Sequence, residues 1–266
     1  MKKLLIVFLF FSHTINAQVV PLPHAHAHND YAHARPLMDA LSYGFTSVEA
    51  DVLLIDGELY VGHDMPQGNH SLPTLEEAYL QPLQRVVHNH RGKVYPDYEG
   101  DFYLMLDFKT DAEATYTLLK EKLADYQSML TYAENGEFHK GAVTIFLSGN
   151  RPIATVKQES KSLVAIDGRP DDLGKNYAST LMPFISQHFR TVVNWDGEGD
   201  IPAAELQKLT ELTAKAHAED KKVRLWASPE NEKVWQVLMQ AEADLINTDK
   251  LSELRNFLIN SYSSSH

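Results

Sequence analysis

The sequence predicts a single (β/α)8 barrel of the TIM type with a hairpin extension after its second strand, and three observations predict it. Short β-rich runs alternate with helical patterns. A length of 266 residues suits one such barrel. No solenoid repeat, low-complexity tract or Gly/Ser- or Pro-rich linker divides the chain. The eight runs are "PHAHAH" (23–28), "TSVEADVLL" (46–54), "FYLMLDFK" (102–109), "AVTIFLS" (142–148), "LVAIDG" (163–168), "RTVVNW" (190–195), "KVRLWA" (222–227) and "ADLINTD" (243–249).

Several helices between these runs have readable starts. Asp111 is placed to cap "AEATYTLLKEKLADY", with Ala114, Leu118, Leu119, Leu123 and Tyr126 on one face. Asp200 and Pro202 open "AAELQKLTELTAKAHAE", and Ser228 with Pro229 opens "ENEKVWQVLMQA". In "DVLLIDGELYVGHD" the Asp56-Gly57 pair between apolar runs reads as a tight hairpin turn, not a crossover. "HNHRGKVYPDYEGD", residues 88–101, reads as a polar loop that leaves His88 and His90 on the surface.

The N-terminal "MKKLLIVFLFFSHTINAQ" has two lysines, an apolar run too short to span a bilayer, and a small residue, Ala17, before a polar one. It is expected to be a signal peptide covering residues 1–17 and cleaved near Ala17. The exported remainder, 18–266, would be one domain, periplasmic or secreted. Zero cysteines exclude thiolate metal sites and a Cys nucleophile, and a net charge of −12 argues against nucleic acid as a partner. An anionic substrate then needs a local cation. No protein partner is implied.

A barrel of this type carries its chemistry at the C-terminal ends of its strands. Those ends hold His28-Asn29-Asp30, Glu49 and Asp51, Asp107 and Lys109, Asp167, Asn194 and Asp196, Trp226, and Asp249. Period-two alternation puts Glu49 and Asp51 on one face, and Asp107 and Lys109 on one face. Three hard oxygen donors without thiols suit one divalent cation, Ca2+ or Mg2+. His63, at the end of the hairpin arm, is placed to face the same mouth from the side opposite His28. Two imidazoles flanking an ion, with Lys109 nearby, suit phosphoryl transfer: one takes a proton from the attacking oxygen and the other returns one to the leaving oxygen. Taken singly, each residue has a plain alternative, such as a solvent-facing strand carboxylate or a surface ion pair. Their order around one mouth is what sets them apart from these alternatives.

At these residues the chain resembles the superfamily of glycerophosphodiester phosphodiesterases and phosphatidylinositol-specific phospholipases C. The resemblance is carried by His28, "Glu49-Ala50-Asp51", "His63-Asp64" and Asp107, and covers roughly residues 24–111. It implies His28 and His63 as an acid/base pair, Glu49, Asp51 and Asp107 as metal ligands, and Lys109 as a phosphate contact. The Arg and Gly that follow the first His in glycerophosphodiesterases are absent, so the phosphate-binding Arg is missing from that position. His-Asn followed by Tyr31 is similar to eukaryotic phosphoinositide phospholipase C, which implies Asn29 as a fourth ligand. "LMLDFKTD" is similar to the Asp-x-Lys strand of sphingomyelinase D-type phospholipases, and Trp226 in "RLWA" is placed to wall the pocket. The implied activity is that of an exported, metal-dependent phosphoric diester hydrolase acting on a glycerophosphodiester or a phospholipid headgroup, with transient membrane-surface contact. Cyclic and linear phosphate products both remain open.

Two other readings use the opening stretch. Zn-type amidohydrolase and phosphatase barrels also begin with His-x-His, which His24, His26 and His28 match, but they require later His ligands. His188 and His217 read as lying on or beside helices, so that requirement is unmet. The other reading is a non-catalytic metal- or lipid-binding exported protein using its His-rich start, His24, His26 and His33.

Overall fold

The structure is a computed structural model that describes residues 19–67 and 71–263. The expected signal peptide lies outside the described residues. Eight parallel strands form the barrel: β1 (Leu22–Ala27), β2 (Phe45–Ile55), β3 (Tyr103–Phe108), β4 (Thr144–Gly149), β5 (Ala165–Gly168), β6 (Phe184–His188), β7 (Lys222–Trp226) and β8 (Leu245–Thr248). β1 pairs in parallel with both β2 and β8, which closes the sheet on itself. The expected barrel is therefore the observed one.

Helices α1 (Met38–Tyr43), α2 (Gln81–Asn89), α3 (Ala112–Leu123), α4 (Ile153–Gln158), α5 (Phe189–Val192), α6 (Ala203–His217), α7 (Glu232–Gln240) and α8 (Leu251–Ser263) fill the crossovers. Their buried apolar residues join the outward-facing residues of the strands in one continuous core. Among the described residues, no helix is long and apolar enough to cross a membrane. A small antiparallel sheet (Tyr132–Glu134, Glu137–His139 and Lys161–Ser162) sits outside the barrel.

Inside the barrel the residues are layered by chemistry. Tyr103, Met105, Phe146, Ala165, Phe184 and Leu245 form a separate apolar plug, with Phe146 stacked on Phe184 and Tyr103 edge-on to Phe184 at 4.8 Å. Further along the same strands the interior turns polar: His26, Ser47, Glu49, Asp167, Ser186, Arg224 and Asn247 are all buried. A dry plug below and a paired polar layer above direct the unpaired chemistry to the C-terminal rim.

The hairpin forms as expected. Asp56 (φ 49°) and Gly57 (φ 80°) both adopt left-handed backbone, as a type I′ turn requires. Val52 to Ile55 then pair with Glu58–Val61. Asp111 caps α3, its Oδ1 accepting the Ala114 N–H at 2.9 Å. The buried face of α3 is Thr115, Tyr116, Leu119 and Leu123, however, and Ala114 is exposed.

Other expectations need correction. "RTVVNW" is not the sixth strand. The strand is Phe184–His188, and the chain turns into α5 because the His188 Nδ1 accepts the Arg190 N–H at 3.1 Å. Asn194 and Asp196 therefore lie beyond the helix and not at a strand end, whereas His188 does close a strand. The cap of α7 is Asn231, which accepts the Val234 N–H at 3.0 Å, and not Ser228. Pro202 holds the cap position of α6, while Asp200 pairs with Lys233 at 3.1 Å. His88 belongs to the exposed last turn of α2 and not to the following loop.

Candidate active site

Strand register brings the acidic residues together. β2 and β3 align Asp51 with Asp107 and Glu49 with Met105. Glu49, Asp51 and Asp107 consequently offer oxygens that all lie within 4.8 Å of one another. Each carboxylate commits one oxygen to protein partners. Glu49 Oε2 accepts from His26 Nε2 and Arg224 Nη1, both at 3.0 Å. Asp51 Oδ2 accepts from Tyr31 Oη at 2.8 Å and His63 Nδ1 at 2.8 Å, and pairs with Lys109 Nζ at 3.1 Å. Asp107 Oδ2 pairs with the same ammonium at 3.3 Å.

The opposite oxygens are differently placed. Asp51 Oδ1 is buried with no hydrogen-bond partner. A lone buried carboxylate oxygen is costly unless a cation meets it. Glu49 Oε1 and Asp107 Oδ1 also stand outside the contacts just described. An all-oxygen donor set containing an orphaned acceptor fits a hard divalent ion such as Mg2+ or Ca2+. Asn29, the expected fourth ligand, lines the same cavity, its side-chain amide 3.1 Å from the Tyr31 Oη that donates to Asp51.

Burial and the neighbouring charges set the ionisation of the group. Burial opposes ionisation of Glu49, but the Arg224 guanidinium and the His26 hydrogen bond outweigh it and hold the carboxyl down to about 2. Burial pushes Asp107 up to about 6; Lys109 opposes this, while the charges of Glu49 and Asp51 add to it. His26 is held down to about 4, chiefly by burial. Its neutral ring therefore donates from Nε2 to Glu49 and accepts the Ser47 hydroxyl at Nδ1, 2.7 Å away.

Both imidazoles expected at the mouth are present there, and a carboxylate orients each. His28 Nδ1 faces Asp249 Oδ1 at 2.8 Å, and His63 Nδ1 faces Asp51 Oδ2 at 2.8 Å. Because a carboxylate only accepts, Nδ1 carries a proton in both rings. Burial disfavours the charged form of His28, yet its pKa is raised, because the Asp249 hydrogen bond and the Glu49 charge prevail. The two rings line one cavity of about 650 Å3 together with Glu49, Asp107, Lys109 and Trp226.

The "HNDY" stretch works as a unit. Asn29 (φ 47°) and Leu37 (φ 63°) take left-handed backbone around a tight loop. Buried Asp30 holds that loop by accepting the Leu37 N–H at 2.5 Å and the Tyr79 hydroxyl at 2.8 Å. This anchoring sets Tyr31 against Asp51. Of the other histidines, His24 Nδ1 contacts the Asp244 carbonyl at 3.0 Å, and His26 is committed to Ser47 and Glu49. Among the described residues, neither belongs to a group able to hold an ion. His188 packs edge-on behind Trp226, with ring centroids 4.4 Å apart.

Sequence reasoning missed the cations of the mouth other than Lys109. Arg224 is buried and reaches across the barrel, with Nη1 donating to Glu49 and to Asn247 Oδ1 at 2.8 Å and Nε to Ser186 Oγ at 3.2 Å. Arg169 donates to Asp167 Oδ2 at 2.8 Å and Ser148 Oγ at 3.2 Å. Both line the cavity, so guanidinium groups are supplied from β7 and the end of β5 although none follows His28. A signal existed for Arg224. It lies two residues before Trp226, and alternation puts both on the same face.

Gly149 is a further unsuspected element. With φ 64°, its place would bring a Cβ to 2.1 Å from Asp107 Oδ1 and 2.5 Å from the Phe108 carbonyl oxygen. Gly149→Ala is expected to displace the Asp107 carboxylate, weakening Mg2+ binding measured by calorimetry and costing about 1–3 kcal/mol in denaturant unfolding. Wild-type values for both would show that the close approach is not required.

Comparison with known proteins gives matches to two family models. The family model of the AIM6-like phosphodiesterase domain matches residues 13–165, and that of the glycerophosphoryl diester phosphodiesterase family matches residues 222–252. The altered inheritance of mitochondria protein 6 homolog of Arthroderma benhamiae is 28% identical, covering 90% of this chain and 84% of that protein. Altered inheritance of mitochondria protein 6 of Kluyveromyces lactis is 26% identical, covering 91% and 74%. A glycerophosphodiester phosphodiesterase from Parabacteroides distasonis shares the fold, with a TM-score of 0.56 at 17% identity over 91% of this chain and 98% of that one. As the first of these family models spans more than half its length, the chain belongs to the AIM6-like phosphodiesterase domain family.

Proposed function

We propose that this protein is a divalent-metal-dependent phosphodiesterase that cleaves a glycerophosphodiester or a phospholipid headgroup by acid-base catalysis between His28 and His63. One observation carries the reading: two carboxylate-oriented imidazoles open onto the same cavity as the Glu49, Asp51 and Asp107 cluster. Glu49, Asp51 and Asp107 would hold Mg2+ or Ca2+, with Asn29 as a further donor. Such an ion supplies Lewis-acid polarisation of a phosphoryl oxygen.

The protein's own groups do the rest. One imidazole Nε2 takes the proton of the attacking hydroxyl, and the other returns a proton to the leaving oxygen. Lys109, in a cavity also lined by Arg169 and Arg224, meets the charge that develops on the phosphoryl oxygens. Trp226 gives the headgroup an apolar wall. A neighbouring substrate hydroxyl as attacker would gain from proximity and give a cyclic phosphate, whereas water would give a linear one. The leader-like residues 1–17 support a site of action outside the cytoplasm, with 18–266 as the working domain.

His28→Ala and His63→Ala are each expected to lower turnover of a phosphodiester substrate by about 10²–10⁴-fold, the usual range for losing a general acid or base. Steady-state kinetics with Mg2+ and with Ca2+ check this. Full activity in either variant would remove that imidazole from the mechanism.

A further inference from the structure

We propose that Lys109 is the resident counterion of the carboxylate cluster, and that its release couples binding of the divalent cation to capture of the phosphodiester. This inference rests on the metal-dependent reading above and adds an order of charge movements to it. Lys109 Nζ sits between two of the three carboxylates, 3.1 Å from Asp51 Oδ2 and 3.3 Å from Asp107 Oδ2. Both contacts are those of an ammonium neutralising a pair of acids. The side chain is also at the cavity wall, with 22% of its surface exposed, so it has room to leave.

The other charged groups of the mouth are already matched. Glu49 is paired with Arg224, Asp167 with Arg169, and Asp249 with His28. His63 also rests on Asp51, through the oxygen that Lys109 touches. Lys109 is therefore the cation whose partners are the remaining two acids of the cluster.

A divalent ion placed against the same acids meets a like charge already there. In a half-buried site two such cations repel strongly, so the ion binds weakly unless Lys109 gives way. Once an ion is in place, Glu49, Asp51 and Asp107 no longer outnumber the cations. With Lys109 and Arg224 counted, the site has one positive charge in excess. A phosphodiester monoanion carries one negative charge, and the ammonium freed from Asp51 and Asp107 is its natural partner. Each ligand thus removes an obstacle to the other, and such coupling must be reciprocal.

Calorimetric titration of Mg2+ into the purified protein tests this, with and without dimethyl phosphate as the anion probe. In the wild type, dimethyl phosphate is expected to tighten Mg2+ binding by about tenfold or more. In Lys109→Gln, Mg2+ should bind the anion-free protein about fivefold tighter than in the wild type, and dimethyl phosphate should then change its affinity by less than about threefold. Lys109→Arg keeps the positive charge and should retain the wild-type pattern, which guards against a general effect of substitution at this position. The proposal is overturned if Lys109→Gln binds Mg2+ no more tightly than the wild type and shows the same response to the anion. Failure of all three proteins to take up Mg2+, with or without dimethyl phosphate, would instead overturn the metal reading itself, and this inference with it.

Discussion

Arg224→Met is expected to destabilise the protein by about 3–5 kcal/mol, the range seen when one partner of a buried ion pair is removed. Arg224 and Glu49 have side chains only 4% and 5% exposed, so water cannot take over the lost partner. The substitution would strand Glu49 and leave Asn247 and Ser186 without the donor they share. Lysine should rescue only part of the loss, because one ammonium cannot reproduce the fork that reaches three partners. Glu49 is held down to about 2 against an ordinary 4.5. The stability it contributes is therefore present above pH 4.5 and is lost as pH falls towards 2. The gap between wild type and Arg224→Met should narrow over that window in denaturant titrations. A loss under about 1 kcal/mol at pH 7 would show that the guanidinium does not anchor the site.

Asp107→Asn should have opposite effects with and without metal. Burial, with Glu49 and Asp51 adding, raises the Asp107 pKa from 3.8 to about 6 in the folded, metal-free protein. A carboxyl raised in this way favours the folded state fully below pH 3.8, and that contribution is lost as pH rises through about 6. Across that window the wild type should lose on the order of 2–3 kcal/mol that the variant does not lose. In EDTA at pH 7.5 the variant is consequently the more stable protein. With excess Mg2+ or Ca2+ the order should reverse, because ligand binding to the native state stabilises only the protein that retains all three carboxylates. Thermal melts in both buffers check this. A variant that is less stable than the wild type in EDTA, or no reversal with ions, would contradict the assigned role of Asp107.

The contrast between these residues shows what the sequence could reveal. Glu49, Asp51, Asp107 and Lys109 were legible because strand alternation and parallel register are simple periodic rules, and the hairpin was legible from Asp56-Gly57. His28 and His63 followed from lying at the ends of those elements. Arg224 was not legible as a partner of Glu49, since its contacts lie on β2, β6 and β8, far apart in sequence. The sixth strand was missed for a related reason. Ser186 and Gln187 make "FISQH" look polar, yet Ser186 is fully buried and donates to Asp167 Oδ1 at 2.5 Å. The β-branched "RTVV" then drew the assignment because propensity carries no information about the turn that His188 caps.

Phosphorus NMR of product release tests the central claim most directly. The purified protein would be incubated with a panel of glycerophosphodiesters, inositol phospholipids and sphingophospholipids, in Mg2+ or Ca2+ and then in EDTA. At least one substrate is expected to give a new phosphomonoester or cyclic phosphodiester resonance that forms only with the divalent ion and is lost in both His28→Ala and His63→Ala. Unchanged spectra across the panel with either ion, or turnover that persists undiminished in EDTA, would contradict the claim.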